Sequence, residues 1–167
     1  MIKPQGSVRL KLIMLCLSTA ILDQLSKWII LNSISEGDVV VVIPNFFNII
    51  LTYNTGAAFG LFSNLEDGLR QLVLGLSTLL ALLVITFLLF KEYKNDLHGK
   101  ICLSFILGGA IGNLVDRAML GKVVDFLDFY LLGYHWPAFN LADSAICIGV
   151  TILILRSFTH QVVKEVK

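Results

Sequence analysis

The sequence predicts an α-helical membrane fold: four transmembrane helices with a small β-sheet on the outer (periplasmic or extracellular) side. Three observations predict it. First, 56% of the residues are hydrophobic and 15% charged, with a mean hydropathy of +0.82, whereas soluble domains are about 45–50% apolar. Second, residues 71–90 run from Gln71 to Phe90 without a charge, and about 20 such residues cross a hydrocarbon core of roughly 30 Å. Third, nine of the 13 basic residues (Lys3, Arg9, Lys11, Lys91, Lys94, Lys100, Arg156, Lys164 and Lys167) lie at the termini and in the middle loop. Basic residues collect on the cytoplasmic side, so both termini are expected there.

The expected spans cover about residues 10–31, 70–90, 101–118 and 140–157 of a single domain, 1–167. The first contains Asp23 and Lys27, the third closes with Asn113, Asp116 and Arg117, and the fourth begins near Asn140 and carries Asp143 in its first turn. A cleavable leader is not expected. No small-residue cleavage site follows Leu12–Leu22, and Asp23-Gln24-Leu25-Ser26-Lys27 continues the helical spacing.

Two segments outside the spans carry other patterns. Residues 38–62 are rich in β-branched and aromatic side chains and punctuated by Pro44, Asn45, Gly56 and Gly60. That is strand chemistry, with Asn54-Thr55-Gly56 as a loop tip. Residues 121–137 are expected as an aromatic loop carrying Asp125, Asp128, Phe126, Phe129, Tyr130, Tyr134 and Trp136, anchored at the headgroup level. Cys16, Cys102 and Cys147 are expected as plain buried thiols, and the three histidines lack metal-ligand spacing.

The polar residues of the apolar runs are the candidates for chemistry, because an ionisable group at membrane depth costs roughly 2.5–3.5 kcal/mol and so implies a task. Asn113 and Asp116, and likewise Asn140 and Asp143, stand three apart and share a helix face. Bland roles compete: an N-cap for Asn140, an ion pair with Asp116 or a hold on a backbone carbonyl or a lipid phosphate for Arg117, close helix approach for Gly108, Gly109 and Gly112, and bonds to backbone groups of the outer sheet for Asp23. Asp125 and Asp143 fit a stronger reading. Two carboxyls in one low-dielectric site cannot both ionise, so one keeps a proton while the other acts as base on a water. That is amide hydrolysis without metal, cofactor or covalent nucleophile. Spacing alone leaves Asp128 as a rival to Asp125.

Five blocks resemble the bacterial lipoprotein signal peptidases (signal peptidase II): Asp23-Gln24-Leu25-Ser26-Lys27, Asn54-Thr55-Gly56-Ala57-Ala58-Phe59, the run Gly108-Gly109-Ala110-Ile111-Gly112-Asn113-Leu114-Val115-Asp116-Arg117, Val123-Val124-Asp125-Phe126, and Phe139-Asn140-Leu141-Ala142-Asp143-Ser144. Ser26 stands where Thr is commoner. The resemblance implies a multi-pass aspartic endopeptidase of the bacterial cytoplasmic (inner) membrane, active at its outer face. Such an enzyme removes signal peptides from prolipoproteins, cutting before the diacylglyceryl-modified cysteine. It implies Asp125 and Asp143 as the catalytic pair, Asn54, Asn113, Arg117 and Asn140 as substrate-binding or site-ordering residues, and Asp23 and Asp116 as structural supports. Its implied partners are lipidated prolipoprotein signal peptides, membrane lipid and globomycin-type cyclic peptide antibiotics, which place a hydroxyl between the two aspartates. The expected state is a monomer with no cofactor, metal or nucleic acid.

Two other classes compete. A small proton- or ion-coupled transporter would use Asp23, Asp116 and Asp143 as a relay, but the polar residues crowd at one edge and no second half mirrors the first. A purely structural subunit leaves Asp125 and Asp143 without a reason.

Overall fold

The computed structural model describes residues 5–55, 66–91, 93 and 96–165. Four long helices form: α1 (Gln5–Ser33), α2 (Asp67–Phe90), α3 (Leu97–Leu120) and α4 (Leu141–Glu165). Between them lie strands β1 (Val39–Ile43), β2 (Phe47–Asn54), β3 (Val123–Leu131) and β4 (Tyr134–His135), paired antiparallel in the order β1-β2-β3-β4. Each expected span falls on one helix, the fourth starting one residue early at Asn140, and each helix runs beyond its span at one end or both. Among the described residues α3 is the one helix that is, taken alone, long and apolar enough to cross a membrane, with a shorter apolar stretch at Leu72–Leu88 in α2.

The central helix is α3, which packs on α4, α1 and α2. Glycine makes that approach possible. A Cβ at Gly108 would stand 2.6 Å from the Cys16 carbonyl oxygen of α1, one at Gly112 would stand 2.5 Å from Asp23 Oδ2, and one at Gly109 would collide with the Ala142 carbonyl of α4. The three glycines thus perform the close-packing role expected of them. α3 ends on Gly121, whose φ of 70° is the left-handed conformation that glycine adopts at least cost, and its N–H donates to the Arg117 carbonyl.

The outer surfaces of the helices are apolar: Leu17, Ile21, Leu25 and Trp28 of α1, Leu72, Leu76, Leu80 and Leu83 of α2, and Ile148, Ile154 and Leu155 of α4 are exposed. Charge is buried instead, with Asp23 0%, Lys27 2% and Asp116 3% exposed. This is the reverse of a water-soluble helix bundle. Cys16 and Cys102 are buried as expected, whereas Cys147 lies exposed on the apolar outer face of α4.

Residues 121–137 depart from expectation: they extend the sheet rather than form a loop. Val123, Val124, Phe126, Leu127, Phe129 and Tyr130 are strand-formers, and two aspartates, residues depleted from strands, disguise them. Val124 and Phe126 join Leu51 of β2 and Ile30 of α1 in a core that fastens the sheet to the helices. Residues 56–62 of the expected β region lie outside the described residues.

Candidate active site

Asp125 and Asp128 are three apart on β3, and the register separates them. Asp128 lies opposite Asn48, which donates to it at 2.9 Å, while its other oxygen meets His135 Nδ1 at 2.7 Å. Asp125 pairs across from Thr52, beyond an irregularity in the β2–β3 register, and faces the start of α4. The structure groups Asp125, not Asp128, with Asp143.

The join is made by two asparagines. Asn140 precedes α4 as its N-cap: its Oδ1 accepts the Asp143 N–H at 2.9 Å, and Asp143 Oδ2 reaches back to the Asn140 N–H at 3.4 Å. This reciprocal arrangement is a capping box built from Asn and Asp. The same Asn140, 0% exposed, donates through Nδ2 to Asp125 Oδ1 at 2.7 Å, with the Asn113 Oδ1 and the Val124 carbonyl each at 3.2 Å. Asn113 in turn donates to Asp143 Oδ1 at 2.7 Å. Both carboxyls are therefore fixed by one Asn113–Asn140 pair, and Asn140 is both cap and site residue. Asn54, at the end of β2, adds a side-chain hydrogen bond to Asp125.

Burial and the charge of Asp143 push the Asp125 carboxyl up from its ordinary value of 3.8 to about 7, against the opposing hydrogen bonds of Asn54 and Asn140 and the charge of Lys27. Desolvation penalises the ionised form, and a like charge nearby penalises it again. A carboxyl still protonated near neutrality beside a second carboxyl is the environment in which acid and base roles divide.

Asp23 and Asp116 sit behind this pair. Asp23 Oδ1 accepts the Ala142 N–H of α4 at 2.9 Å, so Asp23 holds a helix start and not the outer sheet. Asp116 Oδ2 accepts the Val124 N–H at 3.0 Å, and its Oδ1 takes Gln24 Nε2 at 2.7 Å. Its ion-pair partner is Lys27 at 2.9 Å, where Arg117 was expected. Arg117 takes the alternative role, reaching a backbone carbonyl, that of Asn113, at 3.4 Å, and its charge acts on Asp143, Asp116 and Asp125 in that order. Sequence reasoning assigned no role to Lys27 or Gln24. Its available signal was a lysine one helical turn after an aspartate inside an apolar span.

The sequence model described as signal peptidase (SPase) II matches residues 15–159. The chain is 42% identical over 149 residues to the lipoprotein signal peptidase of Syntrophotalea carbinolica, covering 87% of this chain and 91% of that protein. It is 39% identical over 153 residues to that of Neisseria meningitidis serogroup C, covering 92% of each. Among solved structures, a bacterial membrane enzyme determined by the in meso method at 2.3 Å resolution superposes with a TM-score of 0.81 at 33% identity, over 90% of this chain and 89% of that one.

Proposed function

This chain belongs to the signal peptidase II family and removes signal peptides from prolipoproteins, and we propose that it does so as an aspartic endopeptidase, with Asp125 and Asp143 dividing the acid and base roles. The observation that carries this reading is the attachment of both carboxyls to the single Asn113–Asn140 pair, with the buried Asp125 near neutrality.

The sequence of events follows from that geometry. Asp143, half-buried where Asp125 is buried, takes a proton from water as the oxygen attacks the scissile carbonyl carbon. Protonated Asp125 gives its proton to the carbonyl oxygen. The tetrahedral intermediate then collapses as Asp143 protonates the departing nitrogen and Asp125 recovers a proton from the hydroxyl, so the pair ends as it began. Asn54, Asn113, Arg117 and Asn140 orient the peptide and the two carboxyls, while Asp23 and Asp116 hold the start of α4 and β3.

The exposed apolar flanks of the helices support a multi-pass protein of the bacterial inner membrane, with cytoplasmic termini and the sheet on the outer side. The exposed apolar strand β1 and the exposed Leu132, Tyr134 and Trp136 near the β3–β4 turn support a sheet that rests on the headgroup region. There the pair meets a lipid-anchored substrate, cut before its diacylglyceryl-modified cysteine, and globomycin-type inhibitors compete for the same place. The relay reading finds no support in the relatives, which are signal peptidases. The test is cleavage of a diacylglyceryl-modified prolipoprotein by the purified protein in detergent. Processing by the wild type, and none by Asp125→Asn or Asp143→Asn, supports the reading; an uncut precursor refutes it.

A further inference from the structure

Lys27 is 2% exposed toward the C-terminal end of α1, and an ammonium carries three donors and no acceptor. All three are used. Nζ lies 2.8 Å from Asp23 Oδ2, 2.9 Å from Asp116 Oδ2 and 3.0 Å from Asn113 Oδ1.

Each contact leads to the aspartate pair. Asp23 carries on to the N–H of Ala142, the residue before Asp143. Asp116 carries on to the N–H of Val124, the residue before Asp125. Asn113 carries on to Asp143 itself. The orientation of the Asn113 amide is also fixed by donor inventory. Lys27 Nζ only donates and Asn140 Nδ2 only donates, so the atom of Asn113 facing both must be its oxygen, and its NH₂ group must face Asp143.

We propose that Lys27 is a positioning residue of the peptidase site: one buried ammonium sets the register between α4 and β3, and aims the Asn113 amide, so that Asp143 and Asp125 meet. The proposal rests on the aspartic peptidase reading. Neutralising two carboxylates would need only charge, whereas the third donor, spent on Asn113, has its effect on the orientation of a group that touches Asp143. Gly112 belongs to the same device, since a Cβ there would stand 2.5 Å from Asp23 Oδ2 and push that carboxylate off Lys27.

The test compares Lys27→Met, similar in volume and without donors, with Lys27→Met/Asp23→Asn. The second restores the net charge of the cluster and keeps an acceptor for the Ala142 N–H. Both are assayed in detergent on a diacylglyceryl-modified prolipoprotein, in wild-type and Asn113→Ala backgrounds, with the asparagine side chains ¹⁵N-labelled for NMR. Mispositioning of a reacting group costs on the order of 10²-fold, so kcat is expected to fall by about that factor with KM unchanged. The losses from Lys27→Met and Asn113→Ala should be far from additive, and the Asn113 amide signals, assigned by their absence in Asn113→Ala, should move in both Lys27 variants. Additive losses, a rise in KM at constant kcat, unmoved Asn113 signals, or failure of both variants to purify in folded form would overturn the positioning role. A wild type that leaves the lipidated precursor uncut would instead overturn the peptidase reading, and the NMR comparison would still decide whether Lys27 aims Asn113.

Discussion

Replacing Asp125 by Asn should abolish cleavage and yet stabilise the protein at alkaline pH. The carboxyl titrates at about 7 in the fold against an ordinary value of 3.8, because burial and the Asp143 charge both oppose its ionisation. Below about pH 4 it is protonated in both folded and unfolded chains and contributes nothing. As pH rises, the unfolded chain ionises first while the fold holds its proton, so stability falls through the window from 3.8 to about 7 and the full penalty applies above it. At 1.36 kcal/mol per pH unit, that penalty is roughly 4 kcal/mol. An asparagine carries no charge and still offers an oxygen to Asn140 Nδ2, which donates at 2.7 Å. For a chain of this size each kcal/mol moves the melting temperature by about 2–4 °C, so the ceiling on the gain is roughly 16 °C. Melting of wild type and Asp125→Asn in detergent, followed by tryptophan fluorescence at pH 4 and pH 8, provides the comparison. The variant should melt several degrees higher at pH 8 and alongside the wild type at pH 4. A variant that gains no more at pH 8 than at pH 4 would refute the claim that ionised Asp125 is held against its preference.

Other outcomes follow from the same contacts. The rate of cleavage should fall above about pH 7, where Asp125 loses its proton; a flat profile through neutrality would exclude Asp125 as the acid. Asp125→Asn and Asp143→Asn should each cost nearly as much as the double replacement, while Asp128→Asn, which disturbs Asn48 and His135, should be mild in kinetic assays. Gly109→Ala, whose methyl would meet the Ala142 carbonyl, should cost about 1–3 kcal/mol in stability and lower kcat by displacing the start of α4. A reporter fused after Lys94 should read cytoplasmic, and one inserted at Gly121 external. A precursor lacking its acyl chains should be cut poorly, since each buried methylene contributes about 0.8 kcal/mol.

The sequence disclosed the scaffold where one signal dominated. Apolar length placed the helices, and the glycines of α3 announced close packing that the contacts with Cys16, Asp23 and Ala142 bear out. It misjudged β3, because two aspartates in a strand of valines and phenylalanines read as a loop until their partners are known: Asn140 for Asp125, Asn48 and His135 for Asp128. Spacing left Asp125 and Asp128 level, since the choice depends on the side of the sheet each occupies, and that is set by register with β2. Asp116 was assigned to its neighbour Arg117, yet its partner Lys27 lies 89 positions away in the chain on another helix. Proximity in sequence is a weak guide to buried ion pairs, whose geometry is fixed by helix packing.

The economy of the site lies in a local rule reused for a distant purpose. A helix start leaves backbone N–H groups without partners, and an Asn at the N-cap with an acid at N3 is an ordinary solution. Here the N3 acid is Asp143, so the cap that makes α4 begin at Leu141 also fixes the rotamer of a reacting carboxyl. Asn140 Oδ1 is spent on that cap, which leaves Nδ2 free to bind Asp125 from another element. Neither function can be moved without the other. Asn140→Asp would keep the cap oxygen but replace the donor to Asp125 with a third carboxylate at 0% exposure. Asn140→Ser would keep the cap and withdraw the donor without adding charge. If the two roles are coupled as the contacts require, Asn140→Ser should fold with α4 intact and lose most of its kcat, whereas Asn140→Asp should lose stability as well, by several kcal/mol for an unpaired buried charge. An Asn140→Ser variant that keeps its kcat would show that Asn140 is a cap alone.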